Sequence, residues 1–309
     1  MIMEDVFKKF YRSFYNRTNG FIPTKPLNQH MYPGDFFQIK NGELIVLGNI
    51  FRKNIINADD VVFENGIKLN PSNWNFSEGV TKPYSGRDTG HNPIEGDFEF
   101  SKQVLAFDGF GSFFFKSSAS ESVKFANWSD FKDELIIKMT QVLYSFRELY
   151  IVTESATAKH WTLAIAGSDK AELEIATESE NFGLVDIFGD ASAKTIQARE
   201  IEFYHREEKK RPSFFKAKKL VVQQEKLEVF ISQLLSDRSK IPSWANNFYQ
   251  YDFYHDELSY STPITTNAQA SVLDMLQANQ LNPNTALEYF SWANTNLDDV
   301  ERLFGKYGN

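Results

Sequence analysis

The chain contains no cysteine. That single absence removes disulfides, thiolate metal sites, cysteine nucleophiles and S-acyl anchors, and it fits a reducing compartment. Histidine is scarce: His30, His91, His160, His205 and His255 are the whole set, and no two lie three or four residues apart. No H-E-x-x-H pair, G-x-S-x-G elbow, P-loop or strand-then-G-x-G-x-x-G unit occurs. Gly109-Phe110-Gly111 is a bare G-x-G among phenylalanines and reads as a bulge or turn. Glu172 and Glu174 share a strand face, as solvated acids commonly do, and Asp298-Asp299-x-Glu301 suits the start of a helix. The expectation is a non-enzyme with no cofactor and no metal. Long uncharged apolar runs are also missing: none approaches the roughly 18 residues of a membrane-spanning helix. Residues 1–17 carry charge throughout, without the apolar centre of a signal peptide. The chain is therefore expected to be soluble as made, and strands are its only route across a bilayer.

Phenylalanine is abundant, with 29 rings in 309 residues. Such rings need a core, a partner or a membrane, and for any one ring a core is the ordinary answer. The net charge of −8 argues against nucleic-acid binding. It is unevenly spread: residues 241–309 hold eight acids against Arg302 and Lys306, so −6 of the total sits there and −2 on residues 1–240.

Apolar spacing at Val6, Phe7, Phe10, Tyr11 and Phe14 predicts a helix over 3–15, ended by Asn19-Gly20, with Lys8, Lys9 and Arg12 on its other face. Asn41-Gly42 predicts a hairpin between strands at 36–39 and 43–50. Residues 65–96, rich in Asn, Pro, Gly and Ser, read as loops. Strands are expected within 98–115 and at 120–125, and a helix over 128–150. Further strands are expected at 149–153, 161–165, 171–176, 194–204 (with a slip near Arg199-Glu200) and 214–222. A helix at 223–235 precedes a linker at 236–268, and three short helices are expected at 270–276, 284–292 and 297–307. The division is thus 1–235 as the main domain, 236–268 as linker and 269–309 as a C-terminal helical region. The fold class expected is α+β, a twisted, mostly antiparallel sheet with surrounding helices.

Alternation in Leu173 and Ile175 against Glu172 and Glu174, and again through Ile196, Ile201 and Phe203, is what any half-solvated antiparallel sheet shows. Alternating strands of about 9–11 residues also suit a transmembrane barrel, and composition does not choose between the two.

The order of segments resembles a bacterial gasdermin. Phe21-Ile22-Pro23, Tyr32-Pro33-Gly34-Asp35-Phe36-Phe37 and Ile45-Val46-Leu47-Gly48-Asn49-Ile50 are similar to the family's entry of helix, Pro-containing strand, turn and Leu-Gly strand. Phe110-Gly111-Ser112-Phe113-Phe114-Phe115-Lys116 looks like the end of a first finger, and 171–202 like a second. Glu148 to Thr153, Ile201 to Tyr204 and Pro212 to Ala217 look like the central and last strands. The likeness runs over roughly 3–222 and lies in pattern and order. It departs from the family in two respects: the acylated Cys typical near the N-terminus is absent, and the chain runs on far past Val222.

What the resemblance implies is an autoinhibited pore-former. It is monomeric and cytoplasmic when inactive, and an activating protease removes or displaces its tail. It then assembles as a homo-oligomer in the inner membrane and kills the cell, as in anti-phage defence. Candidate inserting residues are Phe98, Phe100, Phe110, Phe113, Phe115, Leu173, Ile175, Ile196, Ile201 and Phe203. Candidate headgroup contacts are Lys8, Lys9, Arg12, Lys209, Lys210 and Arg211, and candidate cleavage points are Arg238 and Lys240. Residues 286–303 also resemble, faintly, the second half of a ubiquitin-associated three-helix domain. The competing expectation is therefore an intracellular interaction protein whose C-terminal helices dock a partner.

Overall fold

A computed structural model describes residues 2–92, 96–139, 149–177, 194–222, 286–287 and 290–305. Helix α1 (Ile2–Arg17) follows from its stripe: Val6, Phe10 and Phe14, each four residues apart, are fully buried. Asn19 and Gly20 take positive φ and end it. The other long helix among the described residues, α2 (Trp128–Met139), buries Phe131, Leu135, Ile136 and Met139. The expected continuation of α2 through Val142, Leu143 and Phe146 lies outside the described residues, as do the helices expected at 223–235 and 270–276.

Three antiparallel sheets make up most of the described structure. Sheet A is eight-stranded and is built around β10 (Tyr150–Thr157), which pairs along one side with β15 (Pro212–Val222). On its other side β10 is shared. Its first residues pair with β2 (Asp35–Lys40), which turns through Asn41-Gly42 into β3 (Glu43–Asn49). Its last residues pair with β9 (Glu121–Phe125), which carries β4 (Phe63–Lys68). Asn41 and Gly42 both take positive φ, as a tight two-residue hairpin requires. The free side of β15 takes β1 (Ile22–Pro23) at Phe214 and Phe215, and β16 (Phe290–Asn294) at 218–222. Sheet B runs β14 (Ile201–Glu207), β11 (His160–Ala166), β8 (Phe113–Ser118), β5 (Asn75–Glu78). Sheet C runs β13 (Lys194–Arg199), β12 (Glu172–Thr177), β7 (Gly96–Phe107), β6 (Val80–Asn92).

Two sequence expectations need correction. Residues 65–96 are not mainly loop: β5 and the 13-residue β6 lie there. β6 has the composition of a loop, yet the edge of β7 supplies a ladder from Val80↔Phe107 to Asn92↔Gly96. Tertiary pairing overrides propensity. Pro83, which has no N–H to give, falls at the one register shift, between Thr81 and Tyr84. The second correction is at 284–292. Ala286 and Leu287 are helical, but Phe290–Asn294 is strand, so no continuous helix runs into Trp292. The free edge of β15 offers hydrogen bonds there. Phe290 is buried beside Leu220, and Trp292 sits 5.7 Å from Trp128 with Nε1 donating to the Lys132 carbonyl. The three-helix module expected at 269–309 is thus interrupted by a strand that joins sheet A. The last helix, α3 (Leu297–Arg302), ends earlier than expected and starts at a capping box between Asn296 and Asp299.

Candidate membrane-insertion region

Sheets B and C contain the same four stretches of chain in the same order. β14 continues β13, β11 leads to β12, β7 leads to β8, and β5 leads to β6. The two sheets are one four-stranded sheet broken along a line. The four breaks fall at Gly79, at 108–112, at 167–171 and at Glu200. Three are marked by left-handed backbone: Gly79 at φ 65°, Gly111 at φ 73° and Glu200 at φ 51°. Gly79 is needed there because a Cβ would come 2.4 Å from the Ser112 hydroxyl.

Lateral hydrogen bonding survives the break. Asp108 N donates to the Gly79 carbonyl at 2.9 Å, Gly111 N to Ala166 at 2.9 Å, Ala166 N to Ser112 at 2.8 Å and Gly167 N to Glu200 at 2.9 Å. The chains bend together and stay laced.

Sheet B is covered on both faces. Phe113, Phe115, Leu163 and Ile165 lie under α1, while Phe114, Ala164 and Ala166 point the other way. Against that second face pack Leu105, Phe107, Leu173 and Ile175 of sheet C, all buried. On the opposite side of sheet C, Lys102 and Glu174 form an ion pair of 2.6 Å. The hydrogen bond from Lys102 to Glu174 holds the Lys102 ammonium above its ordinary pKa. Sheet C therefore hides one face, mainly apolar but with the buried amide of Gln103 in it, by folding back on sheet B, and bears the Lys102–Glu174 pair on the other, the face to which alternation also brings Phe100.

The candidate residues of the sequence are spread over this frame. Leu173 and Ile175 are on the hidden face of sheet C. Phe98 and Phe100 belong to the outer part of β7, in register with Gly90 and Asp88. Phe110 lies in the 108–112 break and is 47% exposed. Ile196 falls at the register shift in β13, between the partners of Glu174 and Ile175. Phe113, Phe115, Ile201 and Phe203 belong to sheet B. Phe113 and Phe115 are fully buried under α1, Phe203 meets Phe7 with ring centroids 4.8 Å apart, and Ile201 leans on the sheet C cluster. Sequence reasoning did not single out Leu105 and Phe107, whose alternation begins only after the polar stretch Ser101-Lys102-Gln103. It also missed Gly79, which no local pattern marks as a break.

Most of the basic candidates have partners. Lys9 pairs with Glu78 at 3.2 Å, Arg12 with Glu301 at 3.2 Å, and Lys210 with Glu121. Arg211 Nη1 lies 3.4 Å from His30 Nε2. The Lys209 backbone donates to Glu207, and Lys8 is half-buried on α1. Arg238 and Lys240 lie outside the described residues.

Residues 290–305 are fastened at several points. Asp299, 1% exposed, accepts from Tyr150 Oη at 2.9 Å and pairs with Lys219 at 3.0 Å, while its other oxygen accepts from Asn296 N. Tyr15 Oη donates to the Thr295 carbonyl at 2.8 Å, and Lys25 Nζ donates to the carbonyls of Leu303 and Gly42. Val300 and Leu303 complete the core under α1. No group of three or more His, Asp or Glu among the described residues could hold a metal ion, and no described helix is long and apolar enough to cross a membrane.

No family model matches the chain, and no curated protein matches it. Among solved structures, a bacterial gasdermin from Bradyrhizobium tropiciagri is similar at 10% identity, over 65% of this chain and 81% of that one, with a TM-score of 0.27. A likeness at that score carries no argument about function.

Proposed function

We propose that this protein is a pore-former held closed by its own tail. The observation that carries the reading is the line of four breaks joining sheets B and C, with strand order and lateral hydrogen bonds preserved across it. Straightening at that line turns 75–92 and 96–118 into one long hairpin, and 160–177 and 194–207 into a second. β6 and β7, at 13 and 12 residues, reach the length that a tilted strand needs to cross a bilayer. The face carrying Leu105, Phe107, Leu173 and Ile175 then has lipid to meet, and the face carrying Lys102 and Glu174 has water. Open strand edges are intolerable in hydrocarbon, so many copies must close a ring.

In this reading residues 290–305 are the brake. They add β16 to sheet A, pin α1 through Tyr15 and Arg12, and fasten to β10 and β15 through the buried Asp299. Cleavage within 236–268 by a protease releases them. Loss of the acidic tail also lessens repulsion from anionic inner-membrane lipid. The outcome is perforation of the cell's own membrane and cell death, a suitable end point for anti-phage defence.

The test is dye release from liposomes of bacterial lipid. A site for a specific protease is inserted after Lys240, and leakage is followed before and after cutting. Leakage only after the cut is the expected result. A cut protein that sheds its tail, stays folded and leaves the liposomes tight sinks the proposal.

A further inference from the structure

Helix α1 has two working stripes. One faces the line of breaks and touches every chain that crosses it. On β5, Glu78 immediately precedes the Gly79 break; it pairs with Lys9 at 3.2 Å and accepts from Ser13 Oγ at 2.8 Å. On β8, Phe113 lies two residues past Gly111, with its ring 5.4 Å from Phe10. On β14, Phe203 lies three residues past Glu200 and 4.8 Å from Phe7. On β11, Ile165 lies two residues before Gly167 and packs in the same core as Val6 and Phe10. The Val6 carbonyl is 3.7 Å from where a Cβ on Gly111 would stand. The other stripe faces the tail: Tyr11 meets Phe304 at 4.9 Å, Arg12 pairs with Glu301, and Tyr15 donates to Thr295.

We infer that α1 is a clip across the four breaks, and that the tail controls the fingers by holding this clip down. Polar contacts tie the tail to α1, α2, β10, β15 and Lys25, which lies between β1 and β2, so its influence on the breaks passes through packed side chains of α1. A helix is stiff enough to act on four strands at once, whereas a side-chain contact acts on one. With the tail in place, lifting α1 costs the contacts on both stripes. With the tail gone it costs only one set, and the population of lifted helix rises accordingly. Ser13 and Lys9 reach Glu78 across the bend, so a lifted α1 also frees the residue beside Gly79. This deepens the pore-forming reading and rests on it for what the straightened strands do, but the coupling itself needs no membrane.

The test is amide hydrogen exchange on the full chain. Glu301→Ala with Tyr15→Phe loosens the tail stripe at two partly exposed positions. The amides of Asp108, Gly111 and Gly167 are then expected to exchange faster by about fivefold or more, while Val152 in the centre of sheet A stays protected. In the same background, Ser13→Cys and Glu78→Cys are joined by a short linker that reductant cleaves. The cysteine-free chain makes that joint unique. Joined, the break amides should return to the wild-type rate, and reductant should restore the faster rate in the same sample. If Thr295 and Val300 exchange faster while the break amides do not change, or if the joint fails to slow them, the clip is wrong. Responsive break amides with no dye release on any lipid keep the clip and sink the pore. Dye release on cutting with unresponsive break amides does the reverse.

Discussion

The same four stretches of chain form sheets B and C, yet the two halves are held very differently. Sheet B is packed on both faces, by α1 on one side and by sheet C on the other. Among the described residues sheet C is packed on one face, and its edge strand β6 carries two Gly, a Pro and several charges. A strand buried twice over is costly to move. One that buries a single face can exchange that burial for another apolar surface. In the proposed function, that difference separates a fixed root from movable fingers.

The largest expected effect comes from weakening the root. Phe14 is fully buried against Trp74, Phe76, Phe115 and Phe214, the last stacked at 4.9 Å. Phe14→Ala should cost about 4 kcal/mol in urea denaturation, and Leu173→Ala in the fingers about 2.5 kcal/mol. Equal costs would erase the distinction between the halves. Next is the tail. Lys219→Met leaves the buried Asp299 carboxylate without its cation, for an expected loss of about 3 kcal/mol. Lys219→Met with Asp299→Asn should recover part of it, and a double variant as unstable as the single would show the pair to be incidental.

Smaller is the effect at the junction itself. Gly79→Ala puts a Cβ at positive φ and against Ser112, for about 2 kcal/mol. Adding Ser112→Gly should return only the crowding share, read as a partial recovery of Tm. The smallest effect is a pH slope. Burial pushes the His205 imidazole below its ordinary pKa, with Glu207 opposing, and its ring lies 4.7 Å from Trp161 in sheet B. The unfolded chain therefore takes up that proton more readily. Stability should fall as pH drops below about 6.5 and flatten once the folded-state pKa is passed. His160, depressed chiefly by burial as well, acts in the same sense, so His205→Gln should shrink the slope without abolishing it.

Elements whose instructions are local were readable from the residues. The stripe of α1, the Asn41-Gly42 hairpin and the alternation of β12 each follow from side chains a few positions apart. The slip at Arg199-Glu200 is a real break, visible because alternation fails there. β5, β6 and β16 were not readable, since each is a strand only because a neighbouring edge completes its hydrogen bonds. The candidate residues show the same division. Leu173 and Ile175 stand out by period and share the hidden face of sheet C, whereas Phe113 and Phe115 looked equivalent to them and lie on the other side of the break, beneath α1.

Composition and spacing settle that the chain has no cysteine chemistry, no helix fit to span a membrane among those described, an acidic end and a set of short amphipathic elements. These properties are sums over residues or patterns within one turn or one strand. Folding alone brings Glu78 to Lys9, Phe203 to Phe7 and Asp299 to Lys219, and lines up four breaks that are far apart in the chain. Those juxtapositions depend on which edges pair and which faces must leave water together, and no window of sequence contains both partners.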